Sequence, residues 1–356
     1  MPGGWQFVKR RSTSSLSVSY GPRVAMCLQG VDMDEEPGTG SGFVELFGNA
    51  TANDTILDPH GSPPLPPESI VIPVIFAFIF CIGVVGNALV IVVLLRTGRE
   101  LENTTNIFIL NLSIADLLFI VFCVPFQAAV FTLPEWIFGL FMCKLVHFFQ
   151  KATMLASAFN LMSMSVDRYM AIVHPVDSID VRKPGLAWAV ELVIWLLAMG
   201  ASAPQLVYFK VIDGQDHNEI GDFCVEEWDD LEAQRPAYLV ALFVLGYIVP
   251  LVIIASCYYL VVRQLNGMSK HSQANRAKRK VTKMLIVVVV VFGMCWLPHH
   301  ILNMWVIFGN FPFTPPTYAF NLLAMCLAYV NSCVNPIIYA FLSSEFRHGV
   351  GELACR

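Results

Sequence analysis

Charge is what this sequence has least of. Of its 356 residues only 14% are Asp, Glu, Lys or Arg, while 56% are hydrophobic; globular domains run near 45–50% apolar and about 25% charged. That balance points to lipid as the main solvent. The net charge of -5 says little about partners, because two membrane faces have to be counted separately, and nothing in it points to nucleic acid. Other absences narrow the field further. There is no Cys-x-x-Cys pair or His-x-x-x-His cluster to hold a transition metal. No apolar core follows a basic start, so no cleavable signal peptide is read and the first span is expected to serve as its own anchor. No motif occurs twice, which argues against a transporter built from repeats. No catalytic cluster gathers at one depth, so an enzyme is not expected.

Long apolar runs are what remains. Seven are long enough to cross a bilayer, which takes about 20 residues of helix. They lie near residues 70–95, 106–131, 140–173, 185–207, 237–262, 281–308 and 318–341. Only helices and closed barrels satisfy every backbone polar group in hydrocarbon, and barrel strands would be about ten residues long with strict alternation. The expected fold is therefore all-α, a seven-helix membrane domain over 70–342 with a short amphipathic helix and tail at 343–356. Residues 1–69 are read as a disordered tail, ending in the stiff spacer Pro63, Pro64, Pro66 and Pro67.

Orientation follows from the loops. Arg96, Arg99, Arg182, Lys183, Lys270, Arg276, Lys278, Arg279, Lys280 and Lys283 lie on one face, against chiefly Lys144, Lys210 and Arg235 on the other. Positive charge collects on the cytoplasmic side. The N-terminus is thus read as extracellular and the C-terminus as cytoplasmic, in a multi-pass protein of the plasma membrane. Glycosylation sequons at Asn49 and Asn53 agree with this. Asn103 and Asn111 fit the same pattern but fall on the cytoplasmic side and inside a helix. Six cysteines, Cys81, Cys123, Cys257, Cys295, Cys326 and Cys333, lie within spans and behave there as small apolar residues. Cys143 and Cys224 stand apart on the oxidising face.

Each span also carries a polar or helix-breaking mark. These are Gly86-Asn87 in the first, Leu112-Ser113-Ile114-Ala115-Asp116 in the second, Asp167-Arg168-Tyr169 ending the third, and Trp195 in the fourth. Pro250 ahead of Tyr258 marks the fifth, Cys295-Trp296-Leu297-Pro298 the sixth, and Asn335-Pro336-Ile337-Ile338-Tyr339 the seventh. This set, in this order, is similar to that of the rhodopsin-like G-protein-coupled receptors and covers residues 70–355. The resemblance implies a disulfide between Cys143 and Cys224, pinning the long loop after span four over the bundle. It implies that Asp116, Ser157, Asn331, Ser332 and Asn335 converge on a pocket that holds sodium at rest. A carboxylate with hydroxyl and amide oxygens suits a hard cation; a hydrated hydrogen-bond network is the other reading of the same residues. Pro298 and Pro336 make their helices bendable, with Trp296 as lever and Tyr258 and Tyr339 as latches. Asp167, Arg168 and Tyr169 would meet a heterotrimeric G protein, and at rest Arg168 can pair with Asp167. Many relatives place an acid low on the sixth span; here that position is Lys278, and Thr282 is expected to hydrogen-bond Arg168 instead. Beyond the last span Phe346, Val350 and Leu353 share a helix face suited to membrane lipid. Cys355 there is either a palmitoylation site or a free thiol.

The ligand can be narrowed. Gln150 stands where amine receptors of this class carry an Asp, which argues against a small amine. Lys151 beside it is a charge about two helical turns inside the span. It meets a ligand acid, pairs with the loop above, or snorkels outward. The loop after span four holds Asp213, Asp216, Glu219, Asp222, Glu226, Glu227, Asp229, Asp230 and Glu232 against Lys210 and Arg235. That run is either a funnel for a cationic ligand or a solvated face. Residues 104–117, Cys123-Val124-Pro125-Phe126-Gln127-Ala128, Trp296-Leu297-Pro298-His299-His300 and residues 308–314 resemble galanin receptors and allatostatin A receptors. This narrower likeness implies a peptide pocket with His299 and His300, the latter facing it, and aromatic support from Phe311, Phe313 and Tyr318. Packing at the helix end is the other reading of the two histidines. Vertebrate galanin receptors tend to carry a further His where this chain has Asn303. The implied function is reception of a galanin-like or allatostatin A-like neuropeptide, with no cofactor beyond a sodium ion. A class A receptor for a lipid or other small molecule is the alternative.

Overall fold

A computed structural model of the chain describes residues 68–96, 101, 103–213, 221–230, 233–269, 271–309, 311–312 and 314–354. Asn49, Asn53, Phe313 and Cys355, with the tail at 1–67, lie outside the described residues. Eight helices follow one another: α1 (Glu68–Arg96), α2 (Thr104–Thr132), α3 (Gly139–Val173) and α4 (Pro184–Tyr208). After them come α5 (Gln234–Gly267), α6 (Gln273–Phe308), α7 (Pro315–Leu342) and the short α8 (Ser344–Ala354). Between α4 and α5 a hairpin forms from β1 (Phe209–Asp213) and β2 (Asp222–Glu226), antiparallel, with Val211 opposite Cys224.

The helices coincide with the seven apolar runs but outlast several of them. α6 begins at Gln273, well before the run near 281–308, because its first turns carry Arg276, Lys278, Arg279 and Lys280. Hydropathy marks where lipid begins, not where a helix does. Arg279 uses this overhang: its guanidinium donates to the carbonyls of Leu265 and Met268, capping the end of α5.

Six of the seven spans are apolar enough to cross a membrane by composition alone, and α3 is the one left out. The reason is its place in the bundle. Lys151, Thr153, Ser157, Asn160, Ser165 and Asp167 all lie buried on it, facing other helices where polar groups find partners. The outer helices turn large apolar side chains outward instead, Phe78, Leu245 and Phe341 among them. In water such an apolar exterior would be an aggregation hazard; in a bilayer it is the solvated surface.

Proline and glycine set the α1–α7 contact. Pro336 has no N–H, so the Ser332 carbonyl one turn earlier loses its helical donor. Asn87 supplies one, donating Nδ2 to Ser332 O and to Gly83 O, both at 2.9 Å. The approach is close enough that a Cβ on Gly86 would stand 2.9 Å from Pro336 Cβ. At the end of α7 the chain turns into α8, where Arg347 donates to the Phe341 carbonyl at 2.7 Å. Gly349 lies against Val93 of α1, and Phe346 packs on the main core.

The hairpin is fixed by a disulfide between Cys143 at the start of α3 and Cys224 on β2, with a Cα–Cα distance of 5.7 Å and a sequence separation of 81. Around it Trp136, Val146 and Phe209 form a small core of their own. Closing a loop of this length is worth about 4–5 kcal/mol of chain entropy against a random coil, and less against helices already held by a bilayer. Replacing Cys224 with Ser should therefore speed amide hydrogen exchange across residues 209–226 while leaving α7 protected. Unchanged exchange in the hairpin would show that packing alone holds it.

Candidate functional site

Beneath the hairpin the bundle holds a cluster of polar and aromatic side chains. Glu226 of β2 accepts from Arg235 Nε of α5 at 3.1 Å, and the two side chains are only 4% and 6% exposed. Lys151 of α3 is 4% exposed and lies close enough to interact electrostatically with both Glu226 and Arg235. It does not snorkel outward, because its side chain is buried among the neighbouring elements. Gln150 is half-buried and hydrogen-bonds His147, whose ring stacks on Phe209 at 3.7 Å. From α6, His299 meets Asn303 Nδ2 at 3.2 Å and stands edge-on to Trp296 at 5.8 Å. His300 packs against α5, with ring centroids 4.5 Å from Tyr247 and 5.3 Å from Phe243. Phe311 stands edge-on to Trp305 at 5.1 Å, and Tyr318 is half-buried at the start of α7.

Several loop acids are engaged locally: Glu227 pairs with Lys210 at 3.3 Å, and Asp230 Oδ1 accepts from the Ala233 amide at 3.0 Å. Asp216, Glu219 and Glu232 lie outside the described residues.

Midway down, Trp296 is buried against Phe119 at 6.2 Å and Phe292 at 6.3 Å. Tyr247 Oη donates to the Gly293 carbonyl at 2.6 Å, a bond from α5 to α6 just below Pro298. It springs from a π-helical turn, Val244–Ile248, that widens α5 ahead of Pro250. One level deeper, Asn335 Nδ2 donates to Asp116 Oδ2 at 2.7 Å, and Ser332 also hydrogen-bonds Asp116. Ser157 and Asn331 are buried on α3 and α7. Asn335 Oδ1 is buried with no partner among the described residues. One carboxylate beside hydroxyl and amide oxygens is a donor set that fits a small hard cation.

At the far end the Asp-Arg-Tyr residues fold on themselves. Arg168 Nη2 meets Asp167 Oδ2 at 2.6 Å and also donates to Thr105 Oγ1 of α2. Asp167 Oδ1 accepts from Thr104 Oγ1 at 2.7 Å and from Arg182 Nε at 2.9 Å. Tyr169 Oη bonds His174 Nε2 at 2.9 Å. The expected bond from Thr282 to Arg168 is not made. Thr282 Oγ1 is buried with no partner among the described residues, since the guanidinium turns away from α6 toward a carboxylate and a hydroxyl on the other side. Tyr258 and Tyr339 are both buried nearby in sequence to these helix ends. Sequence reasoning missed Thr104, Thr105 and Arg182 as members of this cluster. The signal available was Asn103, whose side chain accepts from Thr105 N to cap α2 and so places both threonines in its first turn.

The sequence profile of 7 transmembrane receptor (rhodopsin family) matches residues 86–339. The chain belongs to the rhodopsin family of seven-transmembrane receptors. Among its relatives, galanin receptor 2b of Danio rerio is 47% identical over 292 residues, covering 80% of this chain and 75% of that protein. Galanin receptor type 1 of Rattus norvegicus is 46% identical over 315 residues, 83% of this chain and 89% of its own length. Galanin receptor type 1 of Homo sapiens is 47% identical over 286 residues, 79% and 80% of the two chains.

In this rhodopsin-family receptor the hairpin-covered cluster and the Arg168 cluster stand at opposite ends of one helix, α3. The second is held by a single carboxylate shared between two arginines. Removing one partner of a buried pair costs about 3–5 kcal/mol; Arg182, at 27% side-chain exposure, is partly screened, so the lower part of that range applies. Asp167→Asn should lower the thermal midpoint of the purified receptor by several degrees. An unchanged midpoint would mean that water already solvates both guanidinium groups.

Proposed function

We propose that this receptor binds a galanin-like neuropeptide at its hairpin-covered end and passes the event to a heterotrimeric G protein at its Arg168 end. The observation that carries the reading is identity of 44–47% to galanin receptors of fish and mammals over 79–83% of this chain. The basic loops put the Arg168 end in the cytoplasm, so the hairpin faces outward from the plasma membrane. The chemistry of that end suits a peptide. Gln150, His299 and Asn303 offer hydrogen bonds, while Phe243, Tyr247 and His300 offer an aromatic wall. The basic and aromatic character gives no opening for a small amine.

Coupling rests on α6. His300 lies two residues beyond Pro298 and touches Tyr247, so a peptide bound there shifts α6, and α5 with it, around the proline. Outward movement of the far end of α6 opens space beside Arg168. A G-protein helix ends in exposed carbonyls, and a cation there is favoured by the helix dipole. Arg168 then exchanges Asp167 and Thr105 for those carbonyls. Asp116, Ser332 and Asn335, with Ser157 and Asn331 alongside, would hold a sodium ion, whose positive charge would favour the resting arrangement of these residues.

Galanin-like and allatostatin A-like peptides applied to cells expressing this chain should drive nucleotide exchange. Silence across the whole panel, with receptor present at the surface, would remove the peptide reading. Arg168→Ala should leave peptide binding at the outer end largely intact and abolish exchange. Since coupling between sites is reciprocal, the high-affinity agonist state that depends on the G protein should vanish as well. Both are read on membranes carrying equal amounts of parent and mutant.

Asp116→Asn tests the ion. The carboxylate is the one formal negative charge the pocket offers, and its loss removes the main attraction for a cation. Sodium chloride, titrated against a potassium control, should depress agonist affinity in the parent and do so much less in the mutant. Equal sodium dependence in both would leave the cluster a purely structural network.

A further inference from the structure

Charge does not balance under the hairpin. Cys143, His147 and Lys151 recur every four residues and so share one face of α3, with Lys151 about 12 Å below the disulfide by helical rise. Cys224 and Glu226 are two apart on β2 and share one strand face. The disulfide therefore aims Glu226 at the same face of α3, and Arg235 reaches it from the first turn of α5. Glu226 is already taken by Arg235 at 3.1 Å. Lys151, nine-tenths and more buried, makes neither an ion pair nor a hydrogen bond among the described residues. The other groups that feel its charge are His147 on its own helix and His299 and His300 from α6, none of them acidic. Among the described residues, Lys151 and Arg235 thus face the one carboxylate of Glu226, and Arg235 holds it. An ammonium buried inside a membrane bundle is costly unless paired, and such residues generally mark a ligand or ion path.

We propose that Lys151 is the counter-charge for a carboxylate on the ligand. The peptide that this receptor takes carries an acidic side chain or a free terminal carboxylate on the segment that enters the bundle. The outer acids do not contradict this, because Glu226 and Glu227 are neutralised by Arg235 and Lys210. The inference deepens the peptide reading and rests on it for the kind of ligand, but the site itself can be tested apart from it.

The test uses purified full-length receptor and two small probes, acetyl-Glu-amide and its neutral counterpart acetyl-Gln-amide. The Glu probe should raise the thermal midpoint in a concentration-dependent way and the Gln probe should not. Lys151→Met should weaken the response to the Glu probe by about tenfold or more, the loss expected of a charge-assisted bond. Lys151→Arg should retain the preference, and this variant covers the case in which Lys151→Met fails to fold. Lys151→Glu should reverse it in favour of acetyl-Lys-amide. Equal responses to Glu and Gln probes in the parent, or an undiminished Glu preference in Lys151→Met, would overturn the proposal. A receptor that answers no galanin-like peptide yet prefers the Glu probe would retire the galanin reading and leave the carboxylate site standing. One that answers such peptides without any Glu preference would do the reverse.

Discussion

Hydrocarbon offers a peptide group no hydrogen-bond partner, so each of the seven spans has to satisfy its own backbone, and every departure from regular helix has to be met by a neighbour. The seventh helix shows the consequence most directly. Pro336 leaves the Ser332 carbonyl without a donor, and Asn87 of α1 provides it at 2.9 Å. That bond requires α1 to come close, which Gly86 permits because any larger side chain would strike Pro336. A single missing N–H thus fixes a residue type at two positions on another helix. The neighbour of Pro336, Asn335, donates to Asp116 of α2.

The same constraint sorts the charges. Three polar clusters lie at three depths, around Lys151, Asp116 and Asp167, and α3 contributes to the outer and inner ones while passing beside the middle one. A helix surrounded by others has no lipid-facing majority to keep apolar. That is why α3 alone of the seven falls short of the hydropathy of a spanning segment. At the inner end Asp167 serves two arginines, and partial exposure of Arg182 lets water share the load. Under the hairpin burial is deeper, with Lys151 4% exposed, so an unpaired cation has a different meaning there. One is a latch, closed within the protein. The other is an open valence.

Much of this was legible in the sequence because the signals were long or covalent. Spans of twenty apolar residues, prolines and the polar marks within them fix the number and order of the helices without reference to any contact. The pairing of Cys143 with Cys224 rested on the likeness to a family, and the structure joins them. What stayed hidden was short-range or decided by direction. Five-residue strands such as Phe209–Asp213 are too brief for a period of two to stand out. Among nine acids in one loop, nothing local distinguishes Glu226, although its spacing of two from Cys224 holds it to the disulfide's face. Thr282 illustrates the opposite error. Its place on α6 suggested a bond to Arg168, yet the guanidinium turns to Asp167, its immediate neighbour, and to Thr105 of α2.

In the proposed reading, the two ends communicate through lever arms about Pro298. From Pro298 to His300 is two residues, and from Pro298 back to Thr282 is sixteen, or about 3 Å against about 24 Å of helical rise. A pivot at the proline therefore multiplies a small displacement near His300 several-fold by the level of Arg168. Two contacts limit that swing. Tyr247 holds Gly293 just inside the pivot at 2.6 Å, and Arg279 grips the last carbonyls of α5 from the far end of α6. Since both tie α6 to α5, the sixth helix either carries the end of the fifth with it or breaks the Arg279 cap. Moving a two-state equilibrium from 1:99 to 99:1 takes a difference of about 5.5 kcal/mol, and each charge-assisted bond around Arg168 contributes about 1.5–3 kcal/mol. A motion that preserved the α5–α6 ties would have only the Arg168 bonds to replace, and the carbonyls of a docked helix can replace them. The cheaper path is thus for α5 and α6 to move as a pair, with the resistance to switching concentrated on the single carboxylate of Asp167.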